Sequence, residues 1–309
     1  MKSEIKQERD AMRVLVLGGN GFIGRNIVAK LQTQGAQILI GSRNGQNKIN
    51  TIQVKMQQML QVEDWLPLLD GVDVVVNSVG ILRERKGESY TDIHTFAVES
   101  LADACAQLGV KLIHISAIGL SEAAKSGFIT SKYWGEQAIL ASGANAIIVR
   151  PSLLDGEGGY GAKWFRRVAA WPLQFVMKSN GLVAPLQVAD LGEAVASLCL
   201  TSQKWPQIIE LGGNDLLTIA QYLAKLRAIN KPNPALQLVM PKRIVRVVSH
   251  IFDAFALTPL SFGHFELMQG YNVPAVNLLP VLLGRKPAGL GQIIESQANE
   301  LSDLIALKL

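Results

Sequence analysis

Short apolar runs alternate with amphipathic stretches over the first two thirds of the chain. RVLVLG (13–18) is an apolar run ending in glycine and reads as a buried strand. NGFIGRNIVAKLQTQG (20–35) switches to helical spacing, with Ile23, Ile27 and Leu31 on one face and Gly35 as its stop. AQILIGSR (36–43) returns to the strand pattern. Strand, glycine turn, helix and strand within about 30 residues make a βαβ crossover.

The alternation continues. Residues 51–57 read as a weak strand, 62–70 as a short helix and VDVVVNSVG (72–80) as a buried strand. Residues 90–108 form a predicted helix with Ala102, Cys105 and Leu108 facing inward. KLIHISAIG (111–119) is a strand, 127–141 a helix and NAIIVRPS (145–152) a strand. DGEGGYGAKWFRR breaks the pattern with glycine. LVAPLQ (182–187), a helix at 190–200 and PQIIELGG (206–213) then add one more strand–helix–strand set. This alternation predicts an α/β fold, a doubly wound Rossmann parallel sheet covered on both faces. Residues 215–309 do not alternate and read as helices joined by proline-bearing loops. The expected organisation is a flexible leader at 1–12 and a sheet domain at 13–214, whose residues 155–181 contribute to a cap. A smaller, mainly helical substrate or partner region at 215–309 completes it.

Composition narrows the function classes. The chain has 309 residues, 49% of them hydrophobic and 18% charged, enough for a substantial core. The net charge of +5 includes no long basic run, so nucleic acid is not an expected partner. Cys105 and Cys199 form no CxxC pair and the four histidines do not cluster, so neither a disulfide framework nor a metal site is expected. A reducing cytoplasm fits that cysteine usage. The first eleven residues are charged and lack the apolar core of a signal peptide. No stretch reaches 18 uncharged apolar residues, so no spanning helix is expected.

Ligands of such sheets bind beyond the carboxyl ends of the strands. Those ends carry Gly18–Gly24, Ser42–Arg43, Asn77–Gly80, Ser116–Ala117 and Pro151–Ser152. GGNGFIG contributes Gly18, Gly19, Asn20, Gly21, Phe22, Ile23 and Gly24 between a strand and a helix. There glycines let the backbone approach a pyrophosphate and the helix supplies free N–H groups. An acid at the end of the second strand would bind the ribose 2′-hydroxyl of NAD. Ser42 and Arg43 stand there instead and suit a 2′-phosphate, which favours NADP(H) over NAD(H). Two other readings of Arg43 stay open: a solvated loop charge, or a side chain stacked on adenine beside NAD.

In these segments the sequence resembles the short-chain dehydrogenase/reductase superfamily, in its extended and atypical, epimerase/dehydratase-like branches. VLGGNGFIG resembles the nucleotide loop of that group, and VVNSVG (75–80) the segment lining the adenine and ribose side, here Asn77, Ser78, Val79 and Gly80. LIHISAIG (112–119) resembles the strand of the active-site serine. IIVRPSLLDG (147–156) resembles the strand that passes the nicotinamide, here Pro151, Ser152 and Leu153. The resemblance spans about residues 12–220. Within the superfamily it is nearest to the complex I NDUFA-nine-like NAD(P)H-binding group.

The resemblance implies a catalytic set of Asn, Ser, Tyr and Lys, with Tyr-x-x-x-Lys on one helix. FITSKYWGE (128–136) falls on that motif with Phe128 in place of the tyrosine; Ser131, Lys132 and Glu136 match. The serine maps to Ser116 and the asparagine position holds His94. Lys132 can still hold the nicotinamide ribose, whereas Phe128 has no proton to give. Candidate substitutes are His94, whose side chain titrates near neutral pH, and Tyr133, which lies about 100° further round the helix. Both also read as packed side chains, as does His114. Asp155 and Glu157 read as loop carboxylates near the substrate entrance.

PKRIVRVVSHIFDAFALTPL (241–260) has apolar residues at helical spacing and Lys242, Arg243 and Arg246 near its start. It reads either as a packed cap helix or as a basic amphipathic surface for a protein partner or the inner face of a membrane. Three functions are therefore open. The first is an NADP(H)-binding atypical reductase-like protein without the usual phenol, either a specialised oxidoreductase or a cofactor-holding subunit. The second is an active epimerase, dehydratase or reductase with another proton donor. The third is a structural or membrane-associated assembly protein.

Overall fold

The computed structural model describes residues 11–45, 50–177, 179–231, 233–241, 244 and 262–290. Five strands come first: β1 (Arg13–Leu17), β2 (Gln37–Ser42), β3 (Thr51–Gln53), β4 (Val74–Asn77) and β5 (Lys111–Ile115). They are followed by β6 (Ala146–Pro151), β7 (Leu154–Asp155), β8 (Leu173–Met177), β9 (Leu186–Gln187), β10 (Ile208–Leu211) and β11 (Leu236–Met240). Seven of these form one sheet in the order β10-β6-β5-β4-β1-β2-β3, and every pairing in it is parallel.

The apolar runs are buried on both faces, as a parallel sheet requires. Val14 and Val16 of β1 point into one core, and Leu15 and Leu17 into the other. Val74 and Val76 against Val75, and Ile147 and Val149 against Ile148, repeat the period of two. Helices α1 (Phe22–Thr33) and α6 (Val188–Leu200) cover the first face. Helices α2 (Val62–Leu69), α3 (Ala97–Leu108) and α4 (Gly127–Ala141) cover the second. Trp65 of α2 is fully buried, and its indole N–H is satisfied by Ser100 Oγ at 3.0 Å.

The structure departs from the expected elements in three places. The strand at 51–57 ends at Gln53 and gives way to a tight turn at Met56–Gln58, whose Met56 side chain enters the core. The helix expected at 90–108 begins with a wide π turn, Asp92–Phe96, because α4 presses against it. A Cβ on Gly135 would lie 2.0 Å from the His94 carbonyl oxygen. The run at 182–187 does not join the main sheet; only Leu186–Gln187 is a strand, paired with β7.

Among its described residues the C-terminal region adds a strand and packs against the sheet. β11 pairs in parallel with β8, and helices α5 (Tyr160–Ala170) and α7 (Ile219–Asn230) enclose a small core of Phe165, Tyr222, Leu223 and Leu226 with them. Leu279 and Leu282, on the helix Leu279–Leu283, return to the first core of the sheet. Asp190, fully buried, holds that return by accepting from Arg285 Nη2 at 2.8 Å and from the Ala288 N–H at 2.7 Å. The leader at 1–10 and nearly all of the basic stretch at 241–260 lie outside the described residues.

Candidate functional site

The connections leaving β1 and β4 run to opposite faces of the sheet, which opens a crevice beyond their carboxyl ends. The glycine loop forms its floor. Gly18 turns with φ +75°, and a Cβ on Gly24 would lie 2.2 Å from the Gly18 carbonyl oxygen, so α1 starts tight against the turn. That helix has no side-chain cap and no acid in its first turn, which leaves its positive end open to an anion. Gly18, Asn20 and Gly21 line a cavity of about 370 Å³ with Ser42, Arg43 and Val79. Gly19 and Gly24 do not line it; they permit the packing behind it.

At the far end of this cavity the Ser42 hydroxyl is buried with no hydrogen-bond partner among the described residues. Arg43 is 63% exposed and donates to Glu88 Oε1 at 3.0 Å. Glu88 also lines the cavity. It lies in a polar loop 45 residues further along the chain, and nothing in the spacing of that loop marked it.

A second cavity, of about 420 Å³, shares Gly21, Ser78, Val79, Gly80 and Ile81 with the first. Phe22, Ile23, Ser116, Lys132 and Leu153 line it. Ser116 Oγ is buried with no partner among the described residues. Lys132 approaches Gly80: a Cβ there would sit 3.8 Å from Nζ. Burial pulls the Lys132 ammonium down to about 8, against the attraction of Glu136. Glu136 is itself bonded to Arg150, which donates from Nε at 3.0 Å and again from Nη2.

Phe128, one turn before Lys132, is a buried ring in the same cavity. Tyr133 lies outside it and packs edge-on against Trp134 at 5.2 Å. His94 is buried with both ring nitrogens engaged. Nε2 accepts the Ile81 N–H at 3.1 Å, so the other nitrogen, Nδ1, donates to Ser131 Oγ at 3.0 Å. Burial, then the Lys132 and His114 charges, hold its imidazolium well below the ordinary range. The ring, bonded at both nitrogens, positions the Ile81 backbone, in keeping with its reading as a packed side chain. His114 pairs with Asn77 Nδ2 at 3.2 Å, and Asn77 Oδ1 caps the Val79 N–H at 3.1 Å. Asn77 is therefore fully buried behind the cleft, shaping the Ser78–Gly80 backbone rather than lining the cavity.

The end of β6 corrects two further expectations. Pro151 and Ser152 line neither cavity. Ser152 Oγ accepts the Ala184 N–H at 2.9 Å and bonds Asn272, which in turn donates to the Ile118 carbonyl at 2.8 Å. That network ties the C-terminal segment to the sheet. Asp155 is fully buried and paired with Arg166 at 2.8 Å, and Glu157 is exposed, its carbonyl accepting from Arg25. Neither carboxylate faces the cleft.

The helix Phe262–Gln269 forms the outer wall. Glu266 accepts the Lys125 and Ser126 N–H groups at 2.9 and 3.0 Å, and Gly263 packs so closely that a Cβ would meet Ser126 Oγ at 2.5 Å. His264 then stacks on Phe128, with ring centroids 5.0 Å apart and planes 26° apart. His264 sits in an apolar stretch, SFGHFELM, and only the adjacent glycine hinted at a close approach.

The two cavities share their lining at the glycine turn and form one groove along the strand ends, with the start of the first helix between its two halves. Two buried hydroxyls with no hydrogen-bond partner among the described residues face it, together with the buried Lys132 ammonium. These are the requirements of a dinucleotide, and the residues present fit one. Among the described residues no group of three His, Cys, Asp or Glu side chains could hold a metal ion, and no helix is long and apolar enough to cross a membrane.

Comparison with known proteins agrees with this geometry. A subunit of NADH dehydrogenase (ubiquinone), 1 alpha subcomplex subunit 9 of Dictyostelium discoideum, is 25% identical over 255 residues, 79% of this chain and 71% of that one. Ceramide reductase of Caulobacter vibrioides is 25% identical over 198 residues, and the match spans 61% of each chain. The solved structure of MoeE5 in complex with UDP-glucose and NAD superposes with a TM-score of 0.64 at 16% identity, covering 90% of this chain and 94% of that one. The model of the NAD dependent epimerase/dehydratase family matches residues 14–183, more than half of the chain, and the chain belongs to that family.

Proposed function

We propose that the chain binds NADP(H) along this groove and is an oxidoreductase-type member of its family that lacks the standard catalytic tyrosine. The observation that carries this reading is the set of polar groups that face the groove: the Ser42 hydroxyl at one end and the Ser116 hydroxyl at the other, both buried with no partner among the described residues, and the buried Lys132 ammonium beside Ser116. A buried hydroxyl ordinarily has a hydrogen-bond partner, and the two serine hydroxyls face the groove, where a ligand can supply one. The glycine turn and the start of α1 would hold the pyrophosphate. Ser42 and Arg43 would hold the 2′-phosphate, and Lys132 the nicotinamide ribose hydroxyls. Bound there, the nicotinamide supplies hydride chemistry. Ser116 offers a hydrogen bond to a substrate oxygen, whereas Phe128 offers no proton, and general acid–base help is worth roughly 10²–10⁴ in rate.

The relatives support both a holding and a reducing role: one is by name a subunit of an NADH dehydrogenase, the other a reductase. A partner protein fits the first, and pull-down of the full chain tests it. A second cofactor reading, NAD(H), is favoured by Glu88, a carboxylate lining the adenosine end of the groove. Fluorescence titration with NADPH and NADH decides between them. The expected result is saturable NADPH binding at micromolar concentration, tighter than NADH, and weakened at least about tenfold by Lys132→Met, the loss of a charge-assisted hydrogen bond. No NADPH binding at that concentration would sink the proposal.

A further inference from the structure

We propose that His264 is the proton donor and acceptor of this site, acting on an apolar carbonyl or alcohol substrate. The inference rests on the nicotinamide-binding reading above and adds the chemistry that Phe128 cannot supply.

Three observations carry it. First, the imidazole of His264 lies over the Phe128 ring at 5.0 Å and lines the same cavity as Ser116 and Lys132. A tyrosine at position 128 would carry its hydroxyl at the far end of that ring. Second, the histidine is held in place. Glu266 grips the backbone ahead of α4 through two N–H groups, and Gly263 brings the helix to within 3.0 Å of Phe128 Cβ, measured from an added Cβ. A positioned ring meets the geometric demand on a general acid, and imidazole is the side chain suited to the task near neutral pH. Third, the alternatives are few. Among the described residues lining the cavity, the ionisable side chains are Lys132, Tyr160 and His264. Lys132 serves the ribose in this reading, and Tyr160 is 60% exposed at the rim. His94 has both nitrogens engaged, and His114 is buried behind the cleft against Asn77.

The walls set the substrate class. Leu82, Leu153, Phe165, Val183, Leu267 and Met268 face the cavity. No arginine and no second lysine line it among the described residues. A nucleoside diphosphate would bring charge against these walls without a partner, at high desolvation cost. An aliphatic ketone or alcohol would instead gain from burial, about 25 cal/mol per Å².

The carbonyl carbon gains a hydride, with its two electrons, from the reduced nicotinamide, which is thereby oxidised. The C=O π pair moves onto oxygen. Imidazolium His264 breaks one N–H bond and gives that proton to the oxygen, forming the O–H bond of the alcohol. Neutral His264 recovers its proton from solvent. In the reverse direction it accepts the alcohol proton.

The test uses the full chain with NADPH and 2-decanone, with UDP-glucose as the competing substrate class. Wild type should reduce 2-decanone, with a rate that falls as pH rises through the histidine titration. His264→Gln should lower kcat about 10²–10³-fold and abolish that pH limb. It should leave NADPH binding intact, along with the quenching of bound-NADPH fluorescence by 2-decanone. Adding Phe128→Tyr to His264→Gln should restore a large part of kcat with a new, higher pH limb. The proposal is overturned if His264→Gln keeps the wild-type rate and pH profile. It is equally overturned if wild type binds NADPH yet neither binds nor reduces 2-decanone, or turns over UDP-glucose in preference. Failure to bind NADPH is a separate result: it removes the cofactor reading, and this inference falls with it.

Discussion

Arg43 and Glu88 share the end of the groove where the ribose is read. Arg43 is 63% exposed while the Glu88 side chain is 15% exposed, so solvent and salt screen the pair from the arginine side. A 2′-phosphate brings more negative charge than one carboxylate and offers a guanidinium several acceptor oxygens. Glu88 therefore competes for Arg43 and repels the same phosphate. Glu88→Gln should raise NADPH affinity about threefold to tenfold at low salt and leave NADH affinity unchanged, a difference of about 1 kcal/mol. Paired titrations at low and high salt check this. Weakening of NADH binding alone would show instead that Glu88 holds the ribose 2′-hydroxyl, the NAD(H) arrangement. Sequence reached Ser42 and Arg43 because they end a strand whose place in the βαβ unit is local information. Glu88 arrives from a polar loop without periodicity, and His264 from a helix far beyond the sheet. Such contacts are set by tertiary packing, not by any local pattern.

Among the elements, α4 shows what local pattern does and does not carry. Its limits, Gly127–Ala141, are those the hydrophobic spacing predicts, and Ser126 caps it by accepting the Phe128 N–H at 3.2 Å. Its partner across the groove is less legible, because helical spacing cannot distinguish a regular start to α3 from the π turn at Asp92–Phe96. The cause is one glycine on α4, since only Gly135 lets the two backbones approach closely enough for Ser131 to meet His94. An alanine there would ordinarily strengthen a helix by about 1 kcal/mol. Here its Cβ would fall 2.0 Å from the His94 carbonyl, so the helices must part. Gly135→Ala should destabilise the protein by about 1–3 kcal/mol, the usual cost of overpacking, and should also weaken NADPH binding because His94 then loses its hold on the Ile81 N–H. Urea midpoints and the same titration report the two effects. A midpoint at or above wild type would contradict the packing account.

For the whole molecule, the legible and illegible parts follow from how far each contact reaches. The sheet could be read because each buried strand repeats within five or six residues and the crossover fixes its neighbours. The C-terminal return could not, since Asn272 bonds Ser152 and Arg285 bonds Asp190 across 120 and 95 residues. That return also closes the cleft, and closure has a consequence for acid stability. His94 and His114 are buried beside the buried Lys132. Burial first and the Lys132 charge second push His114 from its ordinary 6.5 down to about 3, and His94 shifts in the same direction. Between those values the unfolded chain binds protons that the folded chain refuses, so stability is complete above about pH 6.5 and falls as pH drops toward 3. His114 alone should cost about 2 kcal/mol between pH 7 and about pH 5, at 1.36 kcal/mol per unit below 6.5. Urea unfolding at the two pH values, with and without His114→Gln, isolates that share. The variant loses the titrating ring, so its stability should fall less on acidification. Identical pH slopes would mean that His114 opens to water without global unfolding. In that case the site's charge would be relieved by local motion of the Asn77 turn rather than stored in the fold.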